Sequence, residues 1–182
     1  TQYFPYILIA ILFVQSMHIL NHLIGRKSDQ FNDPDRARFY RKYRVMLSLL
    51  AIIAGGAGLV IAFTLGALPF VILLAMSLMG LSYNLQLIPK PLAGIKYRRI
   101  RDIPGSKTIL IAIAWGTVTV ILPALVVADQ LSWNVGLVFL WSAGIVFVRT
   151  AFFDILDMQG DRIVGKETLP ILLGEKRSLR LL

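Results

Sequence analysis

Five uninterrupted apolar stretches of about twenty residues dominate this chain, and that is the length a helix needs to cross the hydrocarbon core of a bilayer. They run over residues 3–25, 45–65, 68–88, 108–128 and 132–153. In lipid every backbone N–H and C=O needs a partner within the protein, and a run of this length satisfies them as a helix. The expected fold is all-α, a multi-span transmembrane helix bundle forming a single domain over 1–182. The chain is 57% hydrophobic and only 16% charged, which suits a membrane protein better than a soluble domain. With no cysteine, a disulfide framework and a thiolate metal site are excluded. The first stretch is too long and too polar at its end for a cleavable signal peptide, and it lacks a cationic leader. There is no initiator Met, and a further helix begins within 169–182, so the sequence reads as part of a longer protein, incomplete at both ends.

The 19 Lys and Arg residues fall in three places: 26–44, 90–107 and 149 onward. The short links around 65–68 and 128–131 carry only Asp129. If the stretches alternate in direction, all the basic residues lie on one side or at the inner end of a span, and the positive-inside rule makes that side cytoplasmic. The net charge of +9 suits loops that meet anionic lipid headgroups, so nucleic acid is not an expected partner. In 26–44, Asp33 or Asp35 is expected to cap a short amphipathic helix with Pro34 in its first turn. Its arginines alternate with Phe39, Tyr40 and Tyr43, as in an interfacial anchor. Gly55, Gly56, Gly58 and Gly80 read as close-packing positions between helices, and Pro123 is expected to bend the fourth span.

The residues with chemistry in them lie at the cytoplasmic ends of spans. Residues 154–174 read DILDMQGDRIVGKETLPILLG and bring Asp154, Asp157 and Asp161 close together. If the preceding helix continues, offsets of three and four place all three on one face. Such a trio needs a counter-charge, from protons, basic side chains or a hard divalent cation such as Mg²⁺. Arg149, one turn earlier, either snorkels to the headgroups or lies beside these acids. At the end of the first stretch, His18, Asn21, His22, Gly25 and Asp29 share a helical stripe. Polar groups at that depth face the bundle interior, as hydrogen-bonding glue or as a site. Ser82, Tyr83 and Asn84 belong either to a water-interface belt or to the same cavity.

The 154–174 string resembles the second aspartate motif of the UbiA superfamily of intramembrane prenyltransferases, whose pattern is close to D-x-x-D-x-x-G-D-R-x-x-G-x-x-T-L-P-x-x-x-G. Asp154, Asp157, Gly160, Asp161, Arg162, Gly165, Thr168, Leu169, Pro170 and Gly174 fill every fixed position. The family's first motif, near N-D-x-x-D-x-x-x-D, is matched at Asn21 and Asp29, with His22 and Gly25 in place of two acids. The resemblance implies a bundle of about nine helices, of which this chain covers the second to the sixth. It implies transfer of a prenyl group from a prenyl diphosphate to a lipophilic or aromatic acceptor, expected to be of the quinone-precursor type. Mg²⁺ is the implied cofactor, held by Asp157 and Asp161 with Asp154 and Asp29. Asn21, His22, Lys96, Lys107 and Arg149 are the implied diphosphate contacts, and the arginines of 26–44 are an alternative lid over it. The implied setting is a bacterial or archaeal cell membrane, with membrane lipids around the bundle and the motif loops facing the cytoplasm. The alternative reading, favoured by His22 and Gly25, is a catalytically weakened relative that binds isoprenoid lipid or a partner without turnover.

Overall fold

The computed structural model describes residues 3–24, 26–83, 100, 103–127, 132–165 and 168–182. Within them the elements are α1 (Phe4–Ile24), α2 (Arg26–Asn32), α3 (Pro34–Lys42), α4 (Arg44–Leu65), α5 (Ala67–Ser82) and α6 (Ser106–Gly116). A π-helical turn (Thr117–Ile121) leads into α7 (Leu122–Val127), followed by α8 (Trp133–Leu156), α9 (Met158–Ile163), α10 (Leu169–Leu173) and α11 (Glu175–Leu181). The described residues contain no strand. Four helical segments are long and apolar enough to cross a membrane: Phe4–Ile24, Arg44–Leu65, Ser106–Leu125 and Trp133–Leu156. The fifth expected span appears as the shorter apolar helix α5, and the rest of that stretch lies outside the described residues apart from Tyr83.

Small residues set the packing. Helices α1 and α4 run antiparallel, with the buried Ser16 Oγ donating to Ala51 O at 2.8 Å. A Cβ on Gly55 would lie 2.9 Å from Ser16 Oγ, and one on Gly58 would lie 3.6 Å from Leu12 Cβ. Without an apolar driving force between helices in lipid, such close approach is what holds them together. Gly56 faces open space and takes no part in this seam. Helix α8 packs antiparallel on α6 through Phe139, which lies against Gly116. The two pairs join at a core of Tyr6, Ile9, Phe13, Ala62, Leu73, Val118 and Leu122.

The expected bend at Pro123 takes the form of the π turn just before it. Proline has no N–H to offer Thr119 O, and its ring crowds that carbonyl. The chain widens instead, with Leu122 N donating to Thr117 O. The outer faces carry large exposed apolar residues, among them Trp133, Leu140 and Trp141, which is what a lipid-facing surface requires and an aqueous one would not tolerate in such number.

Thr108 in the first turn of α6 meets Asp154 in the last turn of α8, and Asn32 at the end of α2 meets Gly160 in α9, so the end of α1, the start of α6 and the end of α8 fall at the same end of the bundle. Helices α2 and α9 pack against each other there, which brings the two motif regions together.

Candidate active site

Helix α8 delivers the second motif. Asp154 sits in its last turn, and Asp157 ends it with φ −81° and ψ −2°. Asp157 closes one helix and opens the next, with Asp157 N donating to Phe153 O at 2.9 Å and Asp157 O accepting from Asp161 N at 3.1 Å. Two successive helices, α8 and α9, thus carry the three acids in place of one helix continuing through the motif. Helix α9 stops at Val164, and Gly165, with φ 71°, supplies the left-handed residue that a helix C-terminus favours.

The three carboxylates meet different surroundings. Asp154 is buried, 7% exposed, and both its oxygens are engaged. Thr108 Oγ1 donates to its Oδ2 at 2.6 Å, and Lys107 Nζ lies 3.1 Å from its Oδ1. Asp161 is also buried. Asp157 is half-buried, and burial raises its pKa above the ordinary carboxylate value. The charges of Asp161 and Asp154 push the same way, and those of Lys107 and Arg36 oppose them. Lys107 and Thr108 open α6 just after Gly105, whose φ is 77°. A Cβ at Gly105 would overlap Leu169, from the T-L-P segment of the same motif.

Facing these acids is the first-motif region. His22 Nδ1 lies 3.4 Å from Asp29 Oδ2, and the His22 ring packs against His18 and Tyr40 at centroid distances of 4.7 Å and 5.1 Å. Asn21 is exposed at the end of α1. The link to the second motif is Asn32, whose Oδ1 accepts from Gly160 N at 2.9 Å. A Cβ at Gly160 would overlap that amide, so the glycine of the motif is needed for this approach. Asp33 caps α3 as expected, accepting from Arg36 N at 2.9 Å. The Arg36 Nε is buried, 3.7 Å from Asp33 Oδ2 in an ion pair and without a hydrogen-bond partner among the described residues. Its charge reaches both Asp157 and Tyr40. Burial raises the Tyr40 phenol pKa, with Asp29 adding to the effect and Arg36 opposing it.

Of the other expected residues, Lys96 lies outside the described residues. Arg149 is exposed and places its guanidinium 5.0 Å from the centre of the Phe153 ring. Tyr83 caps the end of α5, its N–H donating to Met79 O at 3.0 Å. The sequence alone does not mark Asn32, Arg36 or Thr108 as residues of the site. Arg36 was legible only as one of several arginines in a basic loop, and nothing local marks Asn32 or Thr108.

A cavity of about 840 Å³ opens beside this cluster. Tyr6, Ala10, Val14, Val118 and Pro123 line its apolar length, and His18 and Tyr40 lie at its polar end.

Among the described residues, no three His, Cys, Asp or Glu side chains gather as a metal cage. Mg²⁺ seldom uses one. It prefers one or two carboxylates and completes its shell with water and substrate phosphates. Asp157 and Asp161, hard oxygen donors that repel one another, fit that demand. Asp154, with both oxygens engaged, fits it less well.

The sequence matches the UbiA prenyltransferase family over residues 1–182. The chain belongs to that family. It is 32% identical over 162 residues to digeranylgeranylglyceryl phosphate synthase from two strains of Halobacterium salinarum, a match that takes in 88% of this chain and 52% of each relative. The chain therefore spans about half the length of these curated relatives. No solved structure matches it. Within the family pattern, the second motif is complete, and the first is represented by Asn21 and Asp29 with His22 between them.

Proposed function

We propose that this protein transfers a prenyl group from a prenyl diphosphate to an alcohol of a glyceryl phosphate lipid, within an archaeal-type cell membrane and with its motif loops facing the cytoplasm. The observation that carries this reading is the meeting of acids and bases at one end of the bundle, where Lys107 Nζ lies 3.1 Å from Asp154 Oδ1 and the charges of Lys107 and Arg36 act on Asp157. A diphosphate needs both signs of charge there: carboxylates for its cation and basic groups for its remaining oxygens.

Asp157 and Asp161 are the residues that would hold Mg²⁺, which supplies neutralisation of the negative charge that grows on the diphosphate as it leaves. Lys107 and Arg36 bind phosphate oxygens from two sides. The apolar length of the cavity takes the isoprenoid tail and keeps water from the electron-poor allylic carbon. His18, His22 and Tyr40 face the reacting end and orient the acceptor hydroxyl.

The family alone leaves the acceptor open, and an aromatic quinone precursor was the expectation from the sequence. The name of the Halobacterium relatives favours a glyceryl phosphate acceptor instead. The test is transfer from labelled geranylgeranyl diphosphate by the full-length protein in lipid, offered either a geranylgeranylglyceryl phosphate or a hydroxybenzoate. Product with the first alone supports the proposal, and product with the hydroxybenzoate alone overturns the acceptor assignment. His22 and Gly25, standing where the family pattern has acids, favour a second reading, a catalytically weakened protein that binds the isoprenoid diphosphate without turnover. Binding with no transfer to either acceptor would establish that one.

A further inference from the structure

We propose that Thr108 is a positioning residue for the donor site, fixing Asp154 so that this carboxylate holds the Lys107 ammonium toward the diphosphate instead of ligating the cation. The inference rests on the donor site proposed above and adds a division of labour among its three acids.

A buried carboxylate is tolerated only when its oxygens are satisfied. Asp154 meets that condition entirely through the first turn of α6, with Thr108 on Oδ2 and Lys107 on Oδ1. Thr108 is 2% exposed, and its packed surroundings hold it in the one of the two χ1 rotamers open to a helical threonine that brings Oγ1 onto Asp154. Its hydroxyl therefore points in a fixed direction and sets the plane of the carboxylate. Lysine is the opposite case, a flexible stem that drifts toward headgroups when nothing holds its end. With one N–H given to Asp154 Oδ1, the ammonium keeps two donors, and the side chain is still 51% exposed. Those donors are what an incoming phosphate can use. The turn that launches α6 is held in its turn by Leu169 packing on Gly105, so the T-L-P segment supports the lysine as well as ending the motif.

The experiment is binding of a non-reactive thiolo analogue of geranylgeranyl diphosphate to the full-length protein in lipid nanodiscs, measured by calorimetry at fixed Mg²⁺. Thr108→Val is expected to weaken binding roughly tenfold, the scale of a lost hydrogen bond to a charged group, and Thr108→Ser to restore it. In a Lys107→Met background, Thr108→Val is expected to have no further effect, which a merely structural role for Thr108 would not produce. Asp154→Asn is expected to leave the Mg²⁺ midpoint unchanged, and Asp157→Asn to move it. Wild-type affinity in Thr108→Val, a full additional loss in the Lys107→Met background, or a Mg²⁺ midpoint in Asp154→Asn displaced like that of Asp157→Asn would each overturn the inference. A wild type that binds no analogue overturns it together with the donor site. Binding without transfer counts against the transferase reading alone, and the binding comparisons still decide the role of Thr108.

Discussion

Asn32 and Gly160, 128 residues apart in sequence, are joined by a single hydrogen bond of 2.9 Å from the Gly160 amide to the Asn32 side-chain oxygen. That amide belongs to the first turn of α9, where N–H groups have no partner within the helix. Asn32 thus caps in trans the helix that carries Asp161, and it ties the first-motif region to the second.

Gly160→Ala forces a methyl group into the Asn32 amide, and overpacking of this kind costs about 1–3 kcal/mol. Thermal unfolding in detergent should show a clear loss for Gly160→Ala and a smaller one, about 1 kcal/mol, for Asn32→Ala. The double variant should lose less than the sum, because truncating Asn32 makes room for the methyl. Strict additivity would mean that the two residues do not act on each other.

The raised pKa of Asp157 has a definite sign for stability. A carboxyl whose folded pKa exceeds its unfolded value favours folding while it is protonated, and that contribution is lost as pH rises through the folded value. At neutral pH the ionised Asp157 therefore opposes folding when no cation is bound. Asp157→Asn should raise the melting temperature in EDTA at pH 7 and leave little difference near pH 4. Added Mg²⁺ should stabilise the wild type but not Asp157→Asn, and the wild-type gain should shrink as pH falls and protons compete with the cation.

Arg36 and Arg149 are both basic and close to the motifs, yet they are placed differently. The charge of Arg36 acts on Asp157 while its buried Nε lies 3.7 Å from Asp33 Oδ2, and Arg149 rests on the Phe153 ring. Arg36→Gln should raise the KM of a phosphate-bearing substrate by about tenfold or more, and Arg149→Gln by about twofold or less. Steady-state kinetics with each substrate varied in turn would check this and show which phosphate Arg36 serves.

The orientation inferred from the basic loops can be read directly, since the chain has no native cysteine. Arg38→Cys and Ser132→Cys lie at exposed positions that the topology puts on opposite sides. In right-side-out vesicles an impermeant maleimide should label Ser132→Cys and should reach Arg38→Cys only after lysis.

Much of this architecture was legible in the sequence because membrane insertion acts on long stretches, and length, hydropathy and basic loops survive any detail of packing. The caps and breaks that depend on local chemistry were also readable, as Asp33 at the start of α3 illustrates. The partners of the acids were not. Thr108 lies 46 residues from Asp154, and Asn32 lies 128 residues from Gly160. No period or spacing marks a hydroxyl or an amide whose role depends on which helices become neighbours. The same reason explains Asp154, which by sequence is the equal of Asp157 and in the fold is the one already committed to Thr108 and Lys107.

The measurement closest to the centre of this account is single-turnover release of diphosphate from geranylgeranyl diphosphate by the full-length protein in nanodiscs, with acceptor, comparing wild type and Asp157→Asn with and without Mg²⁺. Release matched by prenylated product is expected in the wild type with Mg²⁺. A loss of at least a hundredfold, about 2.7 kcal/mol, is expected when either the metal or the Asp157 carboxylate is removed. Equal release by Asp157→Asn, or by the wild type in EDTA, would contradict this.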